Sequence, residues 1–301
     1  MEKHEILSNK IKNIKIGLSG GSDPQFSHGG LRGGDTVRLT QGQYMSAPEW
    51  AELNPADKHL ARIIAHARAL RDPVFSHRSA AIIHGIQTLS IPDKLQVLGS
   101  GGATNSGLQY RQDEPSHRAT ILTGPGGLRV VDPVTATIGS VRDTDFAEAM
   151  VIAESALRSF PELTHTELHD SLMAVRRSRG SKNAHRVAAA MSPLSASPAE
   201  TLARVALLNL GLEPVQQYQV STPLQTFRVG AALVEHGVVV EVVGAPGHAP
   251  PQDASPQDTP AQKAREKAIR GEGWDFVYLT WADVRYRPDA MERKLRRKGV
   301  I

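Results

Sequence analysis

Residues 238–243 read VVVEVV, five valines around one carboxylate, Glu241. β-Branched side chains lose rotamer freedom in a helix and pack well on a pleated surface. A short apolar run of this kind predicts a buried core strand. The flanking sequence supplies the rest of a domain. A helix over AETLARVALLNLG, with leucines at helical spacing, is closed by Gly211. Strands are expected at VQQYQV, in a hairpin over TFRVGAALVEHG, and at VVVEVVG. A helix over 261–270, a strand at DFVYLTW and a basic helix over 288–298 complete the order. Helix, three strands, helix, strand, helix describes an α/β domain with a central sheet. MSPLSASP, residues 191–198, carries two prolines and three serines and marks its boundary.

The first 50 residues predict something different. Ile6, Leu7, Ile11, Ile14 and Ile16 have loose helical spacing, and DTVRLTQGQYM reads as a short hairpin turned at Gly42. A helix, a second short element and a hairpin in this length fit a winged helix-turn-helix, with Arg38 and the Thr40-Gln41 pair on the wing. A small N-terminal cap with a polar hairpin fits the same spacing. The would-be recognition helix, SGGSDPQFSHGG, holds four glycines and a proline, which oppose helix at about 1 kcal/mol per glycine and about 3 for proline.

Between these regions, PADKHLARIIAHARALR predicts an amphipathic helix started by Pro55 and ended by Asp72-Pro73. SHRSAAIIHGI predicts a second, closed by Gly85. Strands are expected at DKLQVLG, HRATIL and GLRVVDP, and helices at 144–158, 164–177 and 182–191. Thr164 precedes Glu167 by three residues, a capping-box spacing. The domain expectation is therefore 1–50, 51–191 and 192–301, a mixed α/β (α+β) chain.

The chain has no cysteine, which excludes disulfides and thiolate metal sites and fits a reducing compartment. No apolar run approaches the roughly 18 residues of a membrane span, and MEKHEILSNK is too polar for a signal peptide. The expectation is a cytoplasmic protein with no membrane partner. Charge is gathered at the ends. Residues 263–301 hold eleven Lys/Arg against six Asp/Glu, and residues 1–48 hold six against four. Basic ends suit a polyanion.

Two stretches resemble a known family. PVFSHRSAAIIHGI followed by DPVTATIGSVRDTDFAEAMVIAESALR is similar to the AbiEi-type antitoxin family, and LRGGDTVRLTQGQYM is similar to that family's wing. The C-terminal third, SPAETLARVALLNLGLEPVQQYQV…VEVVGAPGH…AREKAIRGEGWDFVYLTWADV, is similar to the very-short-patch-repair-like PD-(D/E)XK nuclease domain. The resemblance implies an N-terminal winged helix-turn-helix, an antitoxin-like middle region and a restriction-endonuclease-like C-terminal domain. It implies a regulator that binds double-stranded DNA, in a toxin–antitoxin system whose partner is a nucleotidyltransferase-like toxin encoded nearby. In this reading Arg32, Arg38, Thr40, Gln41, Arg265, Lys294, Arg296 and Arg297 are the DNA-contacting residues.

The resemblance also says where a nuclease centre belongs. Phosphodiester cleavage in this class needs a divalent cation held by carboxylates on adjacent strands. Gly230 stands where the family has the first Asp. Glu241 is retained, Val243 replaces the second acid, and Glu200 matches a helix Glu. Gln262 replaces a helix Asp, Arg265 and Glu266 keep the last pair, and His248 matches a trailing His. The expectation is a vestigial site built on Glu200 and Glu241, with no metal and no cofactor, and with Glu241 solvated or paired with an arginine such as Arg265. The alternative is a Mg²⁺-dependent endonuclease whose missing acids come from Asp253 or Asp258. In the middle region Gly139 stands in place of a family Asp. His77, Ser79 and His84 share one short helix. Ser76, His77 and Ser79 are expected to cap it and His84 to pack or donate a hydrogen bond.

Overall fold

The computed structural model describes residues 2–10, 12–13, 36–100, 107–112, 119–176, 179–244 and 259–301. The chain is mixed α/β and divides into two compact units, Met1–Ala189 and Ala190–Ile301.

In the first unit, helix α1 (Glu2–Lys10) is followed by strand β1 (Lys12–Asn13) and the hairpin β2 (Thr36–Thr40) and β3 (Gln43–Ser46). β3 pairs antiparallel with both, giving the order β1-β3-β2. Gly42, at φ +74°, supplies the left-handed backbone of the hairpin turn. A short helix α2 (Ala47–Glu52) leads into α3 (Pro55–Ala69). Asn54 caps α3 by accepting the Asp57 amide at 2.9 Å, and Pro55 fills the first turn, where its missing N–H costs nothing. Lys3 reaches Asp57 at 2.7 Å, and Arg68 donates to the Ser8 hydroxyl and carbonyl, so α1 is tied to both ends of α3.

Leu60, Ile63 and Ile64 of α3 enter one core with Leu7, Leu39 and Met45 from the N-terminal elements and Phe75, Leu95, Val97 and Val130 from the region beyond. Residues 1–50 thus share their core with the middle region. That region holds α4 (His77–Ile83), the parallel pair β4 (Leu95–Leu98) and β5 (Leu108–Arg111), and the antiparallel pair β6 (Ile121–Thr123) and β7 (Arg129–Val131). Phe75 bridges the two ladders. Its amide donates to the Arg129 carbonyl and its carbonyl accepts the Val131 amide. On either side, the Ser76 amide donates to the Gln96 carbonyl and the Leu98 amide to the Val74 carbonyl. Four helices follow: α5 (Pro133–Asp143), α6 (Phe146–Ser159), α7 (His165–Met173) and α8 (Ser181–Ala190). The expected capping box at Thr164 and Glu167 is present. β5 lies inside a stretch whose glycines and polar residues predict a loop.

Gly139 sits mid-way along α5, and its glycine identity has a packing reason. A Cβ there would lie 2.9 Å from Cγ of the His77 ring. His77 itself is held at φ +50°, a left-handed conformation that costs a non-glycine residue on the order of 1 kcal/mol. The ring is wedged against backbone, so neither side can yield cheaply.

In the second unit, α9 (Pro198–Asn209) is capped by Ser197, which accepts the Glu200 amide. The sheet order is β13-β12-β11-β8, from β8 (Val215–Gln216), β11 (Ala231–Leu233), β12 (Val238–Val243) and β13 (Asp275–Thr280). β12 and β13 run parallel over six residue pairs, and the other contacts are antiparallel. The hairpin expected over 226–237 divides differently. β10 (Thr226–Arg228) pairs back onto β9 (Gln219–Ser221), while β11 joins the main sheet.

The valine run is buried on both faces. Val238 and Val240 pack with Leu207 of α9 and with Met291 and Leu295 of α12 (Pro288–Arg296). Val239 packs on the other face with Ile269 of α10 (Pro260–Gly271) and Phe276. Side chains alternate across a strand, so two covered faces call for apolar residues at each of Val238, Val239 and Val240, and the cover thins from Glu241 on. A short helix α11 (Trp281–Tyr286), with its own capping box from Thr280 and Asp283, connects β13 to α12.

The contact between His77 and Gly139 gives a signed prediction. Helix propensity alone favours Gly139→Ala by up to about 1 kcal/mol. Overpacking against the imidazole outweighs it, so the variant is expected to lose about 1–3 kcal/mol. Adding His77→Ala should recover most of that loss, as measured by denaturant unfolding of both single variants and the pair.

Candidate functional site

The second unit carries a cleft of about 200 Å³ at the end of its sheet, lined among others by Glu200, Arg204, Gln216, Gly230 and Glu241. Three positions singled out from the sequence, Glu200, Gly230 and Glu241, therefore meet at one place. Each arrives on a different element: α9, the turn between β10 and β11, and β12.

Glu241 is the carboxylate within the doubly buried strand. Its Oε1 accepts from the Arg265 guanidinium of α10 at 2.7 Å, and the same Arg265 nitrogen lies 3.2 Å from the Arg228 carbonyl. Both side chains are about three-quarters buried, with 21% and 27% exposed. Removing one partner strands a desolvated charge, so the pair is costly to break from one side. Glu200 is committed to backbone: its Oε2 accepts the Ala196 amide at 2.9 Å in the approach to α9. Val243, two residues beyond Glu241 along the strand, presents no oxygen.

Gly230 differs from Gly139. Its nearest obstacle to a Cβ is the Val240 carbonyl at 3.8 Å, an ordinary contact, and its φ lies outside the left-handed range. Backbone and packing leave room for a larger residue at this point.

The other matched positions are engaged elsewhere. Gln262 belongs to the cap of α10: its amide donates to the Thr259 hydroxyl, which in turn donates to Gln262 Oε1 at 2.7 Å. Glu266 accepts from Arg270 at 2.8 Å and from the Tyr278 hydroxyl at 3.1 Å. His248, Asp253 and Asp258 lie outside the described residues. Among the described residues no group of three or more His, Cys, Asp or Glu converges as a metal site.

The donor set fits Mg²⁺ poorly. That ion takes near-octahedral oxygen ligands, normally one or two carboxylates with phosphate and water. In this cleft one carboxylate is held by a guanidinium and the other by a backbone amide. Arg204, which sequence reading passed over, also lines the cleft, and its Nη1 donates to the Ala190 carbonyl at 2.8 Å. Its spacing of four from Glu200 on one helix was a readable signal.

The residues expected to contact DNA separate into groups. Arg38 and Gln41 are exposed and Thr40 is half-buried at the β2–β3 turn, where the Arg38 Nε lies 3.4 Å from the Thr40 carbonyl. Arg296 and Arg297 are exposed on and just after α12. Lys294 turns inward, donating to Asp283 at 2.7 Å and to the Tyr278 carbonyl at 2.8 Å. Arg265 is the partner of Glu241. Arg32 lies outside the described residues.

The His and Ser cluster of the first unit is built as structure. Ser76 occupies the N-cap position of α4, but its hydroxyl makes no capping bond and instead meets His77 Nδ1 at 3.2 Å. Ser79 is fully buried. Its Oγ accepts the Gln96 amide at 2.9 Å and lies 2.9 Å from His59 Nε2. Neither hydroxyl caps the helix: that of Ser76 meets the neighbouring His77 ring, and that of Ser79 reaches β4 and His59. His84 donates to the Val131 carbonyl at 2.7 Å and sits edge-on to Phe160.

Burial, with Arg62 and Arg78 nearby, lowers the His59 pKa to about 4. Burial also lowers His77 to about 4, with Asp143 opposing and Arg111, Arg142 and Arg78 assisting. Comparison with protein-family models finds no match to this chain, and comparison with curated proteins finds none.

Two buried neutral histidines make the first unit acid-labile. Between pH 6.5 and 4 the unfolded chain binds protons at His59 and His77 that the folded chain refuses. Stability is therefore complete above about 6.5 and falls as pH drops through this window, by roughly 2–3 kcal/mol per histidine. Thermal melts from pH 7 to 4.5 should show the decline. His59→Gln should melt lower at pH 7 yet flatten the profile.

Proposed function

We propose that this chain is a double-stranded-DNA-binding regulator of antitoxin type, and that Ala190–Ile301 is a nuclease-like unit that grips without cutting. The observation that carries the reading is the Arg265–Glu241 ion pair, made by a residue of the strand that borders the cleft. Where a nuclease of this class gathers negative oxygens around a cation, this chain meets its one strand carboxylate with a fixed positive charge.

The DNA-binding part is supported by the first unit. A leading helix and a sheet in the order β1-β3-β2, ending in a hairpin with Arg38 and Gln41 exposed at its turn, match the wing arrangement of a winged helix. Arg38 would contact phosphate and set register, and base reading would fall to SGGSDPQFSHGG, which lies outside the described residues. In the second unit, exposed Arg296 and Arg297 offer a further phosphate contact. A nucleotidyltransferase-like toxin remains the partner that the resemblance implies. Among the described residues no helix is long and apolar enough to cross a membrane. One observation favours the nuclease alternative: Glu200 and Glu241 do line a single cleft.

Two assays separate these readings. In gel-shift titration on the gene's own upstream region, the chain should bind, with affinity falling steeply as salt rises. Arg38→Ala should weaken binding across sequences and lower the salt slope by about one. Absent or salt-insensitive binding would refute the regulator. In plasmid nicking with Mg²⁺ or Mn²⁺, no cleavage is expected. Cleavage that disappears in Glu241→Ala would establish the endonuclease instead.

A further inference from the structure

The geometry points to a surface site for a late first-row divalent transition ion, Zn²⁺, Ni²⁺ or Cu²⁺, held by His165 and His169 on helix α7. It stands apart from the cleft and rests on none of the DNA-binding argument.

The two histidines are four residues apart on one helix, so they share a face. Their rings stack with centroids 6.4 Å apart and planes 22° from parallel. The His169 side chain is 40% exposed and His165 is half-buried, so the pair lies at the edge of the buried stripe. On the adjoining stripe of the helix Leu168 and Leu172 are fully buried and fix the helix in place. With the backbone fixed, the ring separation depends on side-chain torsions alone. Zn–N bonds of about 2.0–2.1 Å put the centres of two imidazoles on one ion roughly 5 Å apart. A change in side-chain torsions on ion binding would close that difference.

A second observation concerns which nitrogen is available. His169 Nδ1 lies 2.9 Å from Asp170 Oδ1. A carboxylate only accepts, so Nδ1 carries the proton and neutral His169 keeps its lone pair on Nε2. A carboxylate behind one ring nitrogen is how metal-binding histidines are oriented and made more basic. Glu167, between the two histidines, is not a ligand. Its Oε2 accepts the Thr164 amide at 2.9 Å and the Thr164 hydroxyl at 2.7 Å in the capping box. That box fixes the turn on which His165 sits.

The ligand type sets the class of cation. From residue 159 to 175 the chain carries Glu162, Glu167 and Asp170 and no Lys or Arg. Imidazole ligands suit zinc, nickel and copper, whereas magnesium and calcium require oxygen sets. With two protein ligands, the remaining coordination positions belong to solvent or to a group on another molecule.

The test is calorimetric titration of the full chain with ZnCl₂ and with NiCl₂, each alone. One saturable site per chain is expected. His165→Ala and His169→Ala should each abolish it. Asp170→Asn should weaken it roughly tenfold, the usual effect of losing such an orienting carboxylate, with the metal-free melting temperature unchanged. Electron paramagnetic resonance of the Cu²⁺-loaded chain should show two equatorial nitrogens in the wild type and fewer in His169→Ala. No saturable binding, or undiminished binding in the double histidine variant, would overturn the site. Mg²⁺ binding that depends on His165 would overturn its class.

Discussion

The second unit depends on one strand being covered twice. β12 pairs with β11 on one edge and with β13 on the other, and helices seal both of its faces. Each buried valine contributes on the order of 1.5–3 kcal/mol, and the contribution falls on both sides of the sheet at once. That arrangement delivers Glu241 to the cleft at the strand's far end, where cover thins from buried to half-buried. A carboxylate so placed needs compensation. Arg265, from the helix that crosses between the two parallel strands, supplies it. The fold thus creates the charge problem and, in the next described element of the chain, answers it.

Two glycines stand where the resembling family has acids, and physically they are unlike. At Gly139 an imidazole fills the space a side chain would need. At Gly230 the space is open. The first substitution is tied to the packing of α5 on α4. The second removes a negative charge without any demand from the backbone. The same residue type can therefore mark a packing constraint at one position and open space at another.

Much of this was legible in the sequence where the cause is local. Pro55, Asn54 and the amphipathic spacing give α3. Ser197-Pro198 gives the start of α9, and the valine run gives β12. Glu200, Gly230 and Glu241 were placed together by the resemblance, and Arg265 was an expected partner for Glu241. The causes that escaped are long-range. β5 is polar and glycine-flanked, and its strand character comes from parallel pairing with β4, which leaves no local pattern. Ser79 finds His59 across twenty residues of chain. Lys294 sits in a run that reads as a solvated basic face, yet Asp283, on a short helix with no strong periodicity, draws it inward. The division at residue 189 matches the Pro/Ser-rich break closely, whereas nothing in the sequence announced that the N-terminal hairpin and α3 would share one core.

The bridge at Phe75 bears on synthesis by the ribosome. Two-stranded ladders are marginal alone, and Phe75 joins two of them, one completed only by Arg129–Val131. A nascent chain that has emerged only through α4 therefore carries a fully apolar side chain whose partners are still inside the exit tunnel. Its N-terminal elements must wait, exposed, until Arg129–Val131 has emerged before their shared core can close, and that interval is when a chaperone has most to offer this protein.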